Sequence, residues 1–245
     1  AGVTINLESA GEADRALAIG ERLGIAPHLA VRVNPDFDLR GSGMRMGGGA
    51  RPFGIDAADA AAVIRRIVAA GADWRGLHIF AGSQALDAEA IAETQHATVA
   101  LAARLADAVA AMPPLVNLGG GFGIAYFPGD IPLDVERVGE ILAITLRNRP
   151  DILRDSEFAI ELGRWLVGEA GVYLTRIVDR KTSHGQLFLV TDGGLHHQLA
   201  ASGNFGTVVR RNYPVAIANR FAAASEEEAT IVGCLCTPLD RLADQ

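Results

Sequence analysis

The chain has 245 residues, 49% of them hydrophobic, a mass of 25.7 kDa, a formal net charge of -7 and an isoelectric point near 5.4. That is enough for one α/β barrel or two smaller domains with a buried core. An acidic chain with no basic stripe, no basic-then-apolar leader and no apolar run of about twenty residues argues against nucleic acid and membrane as partners, and points to a cytoplasmic protein with small-molecule ligands.

Apolar strand-like runs alternate with helix-period segments from the start of the chain. Thr4 to Leu7 predicts a strand and Gly11 to Leu23 a helix; Leu29 to Val33 predicts a strand, followed by a loop and a helix near Ala57 to Ala70. Leu77 to Phe80 then precedes a helix from about Asp87 to Ala111, and Leu115 to Leu118 precedes a helix near Leu133 to Arg147, with Phe158 to Ile160 closing the series. Repeated βα units of this kind predict a parallel sheet, open or closed as a barrel. After Arg164 the pattern becomes β-rich, with runs at Gly171 to Val178 and Leu187 to Thr191 joined by a polar DRKTSHGQ turn, a loop or frayed helix at Phe221 to Glu228, and a strand at Ala229 to Gly233. The expected division is therefore residues 1–167 and 168–245.

The segment VNLGGGFGIAY, from Val116 to Tyr126, runs a short strand into Gly119, Gly120 and Gly121. Such a turn exposes successive backbone amides and suits a phosphate, although a plain tight turn is the alternative. Its spacing matches neither a dinucleotide fingerprint nor a P-loop. Other polar or unusual residues recur after the strands: Glu8 and Ser9, Asn34, Gly82 and Ser83, and Glu161. In a barrel those strand ends converge on one site. Cys234 and Cys236 are too close to staple the fold and too few to hold a metal. Lys181 is the only lysine among 22 basic residues.

Six motifs in order, RVNPDF, GLHIFAGSQ, NLGGGFG, ELGR, VTDGG and GCLCTPLD, resemble those of the pyridoxal-phosphate decarboxylases of the ornithine and diaminopimelate decarboxylase family, whose fold is alanine-racemase-like. The wording HIFAGSQ and DGGLHHQLAASGNFG is similar to the exosortase-associated branch. The resemblance implies a TIM-type barrel, strands four to eight of which are represented here, followed by part of a β domain, with pyridoxal 5'-phosphate bound at the strand ends.

On that resemblance Gly119, Gly120 and Gly121 bind the cofactor phosphate, helped by Arg164 as a charge-assisted donor and Ser83 as a hydroxyl donor. Glu161 lies beside the pyridine nitrogen, keeping it protonated as an electron sink. Leu162 stands where relatives usually carry proline. Arg32 matches an arginine near the ring hydroxyl. Phe80 occupies the position of a histidine over the ring, with His78 two residues earlier on the same strand face. Cys236 matches a cysteine that enters the neighbouring subunit's site and influences product protonation, so a homodimer with composite sites is expected. Thr237 replaces an acidic residue and Cys234 a proline, which puts an ornithine- or diaminopimelate-like substrate in doubt. Each residue also has a bland reading: surface ion pair for Arg32 and Arg164, turn for Ser83, solvated strand end for Glu161, core for Phe80 and Cys236, buried histidine for His78. Asp192, Gly193 and Gly194 match a pocket-shaping region; His196 and His197 near Asn204, pointing in different directions, do not make a metal site.

The family chemistry also needs a lysine to hold the cofactor as an aldimine. Lys181, in a polar turn, does not fit, and relatives carry that lysine on a first barrel strand absent here. Three strands and a tyrosine-bearing segment beyond GCLCTPLD are unaccounted for, so truncation at both ends is expected, leaving this piece with unpaired strand edges and no aldimine-based catalysis of its own. The expected activity of the complete enzyme is decarboxylation of a small amino acid. A noncatalytic pyridoxal-binding or regulatory homologue, and an amino-acid racemase, are the alternatives; family resemblance gives a racemase arginine where Glu161 stands.

Overall fold

The computed structural model describes residues 2–202, 211–222 and 227–244. The chain divides into two compact units, Ala1–Ile124 with Pro132–Leu166, and Ala125–Ile131 with Val167–Gln245.

The first unit opens with β1 (Ile5–Leu7) and α1 (Ala10–Leu23), continues through β2 (His28–Asn34), β3 (Met44–Arg45), β4 (Ile55–Asp56), α2 (Ala57–Ala69), β5 (Asp73–Ile79) and β6 (Gly82–Ser83), and ends with α3 (Ala88–Val109), β7 (Leu115–Asn117), α4 (Val135–Arg147) and β8 (Glu157–Ala159). Its main sheet has the order β1-β2-β5-β7-β8, with β4 beside β2. Every pairing in it is parallel. Each long strand lies beside its neighbour in the chain with no reversal of order, so there is none of the switch point of an open doubly wound sheet. This is the winding of a barrel arc.

Burial explains the strands. β2 is buried at five of seven positions, a near-continuous apolar run suited to a parallel sheet covered on both faces. Leu7, Leu29, Val31, Ile64, Ile67, Ile79 and Val116 are wholly enclosed and belong to one core cluster. β5 begins earlier than the sequence suggests because Trp74 is buried and donates its indole N–H to the carbonyl of Gly76 at 3.1 Å. Helix starts follow capping chemistry: Ser9 accepts from the amide of Glu12, and Asp87 from those of Glu89 and Ala90. The chain leaves α3 through Ala110 at φ 52°, a left-handed conformation that costs a residue bearing Cβ about 1 kcal/mol. Ala110 is exposed, and Ala110→Gly should raise stability by roughly 0.5–1 kcal/mol, read as a higher urea midpoint with unchanged slope.

The second unit contains β9 (Ile177–Ser183), β10 (Gln186–Thr191), β11 (Thr230–Val232) and β12 (Arg241–Ala243), after a short helix α5 (Gly163–Val167) that straddles the boundary. The sheet order is β12-β11-β10-β9. Here the structure corrects the sequence reading. DRKTSHGQ is not a turn: Asp179–Ser183 belongs to β9, and only His184 (φ 49°) and Gly185 (φ 83°) reverse the chain. Those dihedrals are the two-residue hairpin geometry. β9 is exposed at all seven positions, held by backbone pairing to β10 rather than by an apolar face, and this hid it from a periodicity argument. Residues 171–176, expected to be extended strand, form none. Part of the expected Phe221–Glu228 loop, residues 223–226, and Asn204 lie outside the described residues. No helix among the described residues is long and apolar enough to cross a membrane.

Candidate functional site

In a parallel sheet the carboxyl ends of all strands lie on one edge, so Glu8, Asn34, Phe80, the glycine turn and Glu161 are delivered to the same edge by β1, β2, β5, β7 and β8. Register aligns what precedes them. Arg32 pairs with His78, His78 with Asn117, and Asn117 with Ala159, two residues before Glu161.

Glu161 is the centre of the arrangement. His78 Nε2 lies 3.1 Å from its Oε2, and Asn117 Nδ2 donates to its Oε1 at 2.9 Å. Partial burial pushes this carboxyl up, but the hydrogen bonds from His78 and Asn117, with the charges of His78 and Arg32, outweigh it and hold the group below its ordinary range. The carboxylate is therefore kept ionised. His78 itself is 8% exposed, and its Nδ1 is buried without a partner. Arg32 donates to Glu8 Oε1 at 2.6 Å and lies 5.1 Å from the centre of the Phe53 ring. Glu8 Oε2 in turn accepts the amide of Gly54 at 2.5 Å. The carboxylate of Glu8, expected only as a polar strand end, is thus the partner that fixes Arg32.

The glycine turn is tied to the same group. Glu161 donates its amide to the carbonyl of Gly119 at 2.7 Å, and Gly119 donates its own to Asn117 Oδ1 at 2.9 Å. Gly119 has φ +70°, and a Cβ there would lie 2.6 Å from the carbonyl oxygen of Ile79; at Gly120 a Cβ would lie 1.7 Å from that of Glu161. No other residue fits either position. Because the Gly119 amide is spent on Asn117, the amides left without a partner among the described residues are those of Gly120 and Gly121.

A cavity of about 270 Å³ opens here, lined by Phe80, Ser83, Gly121, Phe122, Glu161, Leu162, Gly163 and Arg164. Arg164 makes no ion pair among the described residues. The wall thus offers a guanidinium, a hydroxyl and a glycine turn, an ionised carboxylate, and two phenyl rings. That donor set fits a planar aromatic cofactor carrying a phosphate and a basic ring nitrogen. Arg32 and His78 do not form part of the wall; they bear on it through Glu161.

The remaining candidates lie in the second unit. Cys234 and Cys236 are free thiols, both exposed. They sit in a loop organised by Asp240, 2% exposed, whose carboxylate accepts the amides of Leu195 at 2.6 Å and Leu235 at 2.7 Å. Asp192 is occupied by the backbone amide of Arg176 and the hydroxyl of Thr175, which lower its pKa, and these bonds stitch the chain at 175–176 to the end of β10. His196 and His197 do not diverge as two residues of an extended chain would. A turn in which the amide of His197 donates to the carbonyl of Gly194 brings their rings to 3.8 Å. No cluster able to hold a metal occurs among the described residues. Lys181 is exposed on β9.

Asn117, Phe53 and the pairing role of Glu8 were missed from the sequence. Asn117 follows the apolar pair Leu115 and Val116 and is separated from the glycine run by Leu118 alone, a signal that an amide at that strand end had a specific partner.

Comparison with known proteins gives a consistent result. The family described as "Pyridoxal-dependent decarboxylase, pyridoxal binding domain" matches residues 2–168. The chain is 33% identical over 229 residues to the L-glutamyl-[BtrI acyl-carrier protein] decarboxylase of Niallia circulans, covering 91% of this chain and 53% of that protein. It is 28% identical over 251 residues to the diaminopimelate decarboxylase of Archaeoglobus fulgidus, covering 99% and 57%. The crystal structure of diaminopimelate decarboxylase from Helicobacter pylori complexed with L-lysine superposes with a TM-score of 0.78 at 22% identity, over 98% of this chain and 57% of that one. The chain spans about half the length of the curated relatives it matches.

Proposed function

The chain belongs to the pyridoxal-dependent decarboxylases, through their pyridoxal-binding domain, and from that premise we propose that the protein removes the carboxyl group of an amino acid as carbon dioxide. Pyridoxal phosphate is its cofactor. The observation that carries the proposal is Glu161: a carboxylate held ionised by two hydrogen bonds, in the wall of the cavity that also contains Ser83, Gly121 and Arg164.

When bound, pyridoxal phosphate supplies an electron sink for the charge left by the departing carboxyl group. Glu161 holds a proton on the pyridine nitrogen, because an anion beside that atom favours its protonated form. The amides of Gly120 and Gly121 bind the phosphate with Arg164 and Ser83, and a guanidinium supports a dianion through charge-assisted bonds. Phe80 and Phe122 give the cavity apolar wall and exclude water from part of it. Arg32, held by Glu8 and lying over Phe53, would by family resemblance serve the ring hydroxyl. Phe80 has no exchangeable proton, so product protonation falls to Cys236, supplied by the partner subunit of a cytoplasmic homodimer. Exposed free thiols at Cys234 and Cys236 accord with a reducing compartment. Lys181, solvated on an edge strand, is not the lysine this chemistry uses. Racemisation is the less favoured reading, because an ionised Glu161 sustains a stronger electron sink than racemisation requires.

The test is carbon dioxide release by the full-length protein from a panel of labelled amino acids. The panel includes glutamate joined to an acyl-carrier protein, since the Niallia circulans relative is named for that substrate. Release from at least one member is expected; none, with pyridoxal phosphate bound, would sink the proposal. Mixing Glu161→Ala and Cys236→Ala variants should restore release if sites are shared between subunits, and mixtures as inactive as their components would remove the composite site.

A further inference from the structure

Two side chains hold Glu161, and the position of each hydrogen between them follows from the geometry. The amide of Gly119 can only donate, so the Asn117 atom 2.9 Å from it is the oxygen, and the nitrogen must face Glu161 Oε1. The same reasoning applies to His78. An ionised carboxylate 3.1 Å from Nε2 requires the proton on Nε2. The other ring nitrogen is buried with no partner among the described residues, so Nε2 is the one ring atom through which His78 holds the carboxylate. His78 is thus set as an Nε2–H donor on β5, and Asn117 as a two-ended clamp on β7.

We propose that His78 and Asn117 are positioning residues, His78 fixing the orientation of the Glu161 carboxylate and Asn117 fixing its placement relative to the glycine turn. A cofactor with phosphate at one end and a ring nitrogen at the other is held at two points. Asn117 donates to Glu161 and accepts from Gly119, the residue that leads into the free amides of Gly120 and Gly121, so a single amide sets the span between the carboxylate and the turn. His78 removes the rotational freedom that would otherwise remain to a carboxylate whose side chain is 52% exposed. The other charges bearing on the pair are Arg32, its neighbour in register on β2, and Glu8, which binds Arg32; neither is hydrogen-bonded to Glu161.

The inference rests on pyridoxal phosphate occupying this cavity, and its test separates the two ideas. In the full-length protein, carbon-13 signals of labelled glutamate carboxyls are titrated without cofactor, that of Glu161 being identified by its loss in Glu161→Gln. Binding of pyridoxal phosphate is measured separately by fluorescence. Asn117→Asp keeps the acceptor for Gly119 but sets a second carboxylate against Glu161; its Glu161 titration should move to higher pH and its cofactor affinity fall about tenfold or more. His78→Leu should do the same, while His78→Gln, which restores an N–H near the Nε2 position, should return both readouts toward the parent. An unmoved titration in Asn117→Asp, or equal behaviour of His78→Leu and His78→Gln, would overturn the proposal. Should the titration shift as expected while the parent fails to bind pyridoxal phosphate, the positioning role stands and the cofactor assignment falls.

Discussion

Glu161→Gln should lower kcat for decarboxylation by about 10²- to 10³-fold with a much smaller change in KM, because the amide retains the size of the carboxylate but not the charge that opposes a protonated ring nitrogen. The loss belongs to the chemical step, so single-turnover measurements should show it undiminished. A drop in KM alone, or a kcat within about threefold of the parent, would remove Glu161 from the role assigned to it. The pH dependence has a definite sign. Partial burial raises the pKa of Glu161, but His78, Asn117 and Arg32 bring it below its ordinary value of 4.5. A carboxyl whose folded pKa is depressed contributes stability that is present above the unfolded value and lost as pH falls through the folded one. The carboxylate therefore loses its charge at lower pH than an ordinary glutamate, and an acid limb in the rate at higher pH would belong to another group. Asn117→Asp should move the point at which Glu161 titrates upward, the direction opposite to that set by the native clamp.

Gly120→Ala should weaken pyridoxal phosphate binding by about tenfold or more and destabilise the first unit by about 2–3 kcal/mol. A Cβ at that position meets the carbonyl oxygen of Glu161 at 1.7 Å, and that oxygen is backbone with little room to yield. The ELGR segment and the glycine turn would have to part, which also breaks the 2.7 Å bond from the Glu161 amide to Gly119. Gly139→Ala is the matched control. A Cβ at Gly139, within α4, meets nothing within 4 Å, and alanine in a helix should gain about 0.5–1 kcal/mol without touching cofactor affinity. Cofactor titration and urea unfolding of the two variants check both arms, and equal behaviour would mean that the turn is not a tight cradle.

The sheet and the cavity were legible to different depths. Alternating apolar runs and helical periods located every long strand and helix of the first unit to within a few residues, because burial in a parallel sheet leaves a strong hydrophobic signature. The family itself was readable from ordered motifs. The second unit was less legible: β9 spells Ile-Val-Asp-Arg-Lys-Thr-Ser and is exposed throughout, so its polar residues resembled a turn although its backbone pairs along its length with β10. The close, tilted rings of His196 and His197 depend on a local turn that side-chain types do not announce. In the site, Glu161, Arg164 and the glycine run could be named from their motifs, but the Asn117 and His78 clamps could not. Their roles are defined by strand register, which places Arg32, His78 and Asn117 side by side from segments far apart in the chain.

The order β1-β2-β5-β7-β8 has a consequence for assembly. Each of these strands finds its partner in the strand just made, across one intervening helix or helix-containing loop, so the sheet can be laid down progressively as the chain leaves the ribosome, each addition closing only a modest loop. The second unit has no such schedule. β10 lies parallel to β11, with Phe188 opposite Thr230, and the long excursion between them must be synthesised before that pairing can form. The glycine turn and Glu161 can therefore come together before the β10–β11 pairing that leads into the loop carrying Cys236.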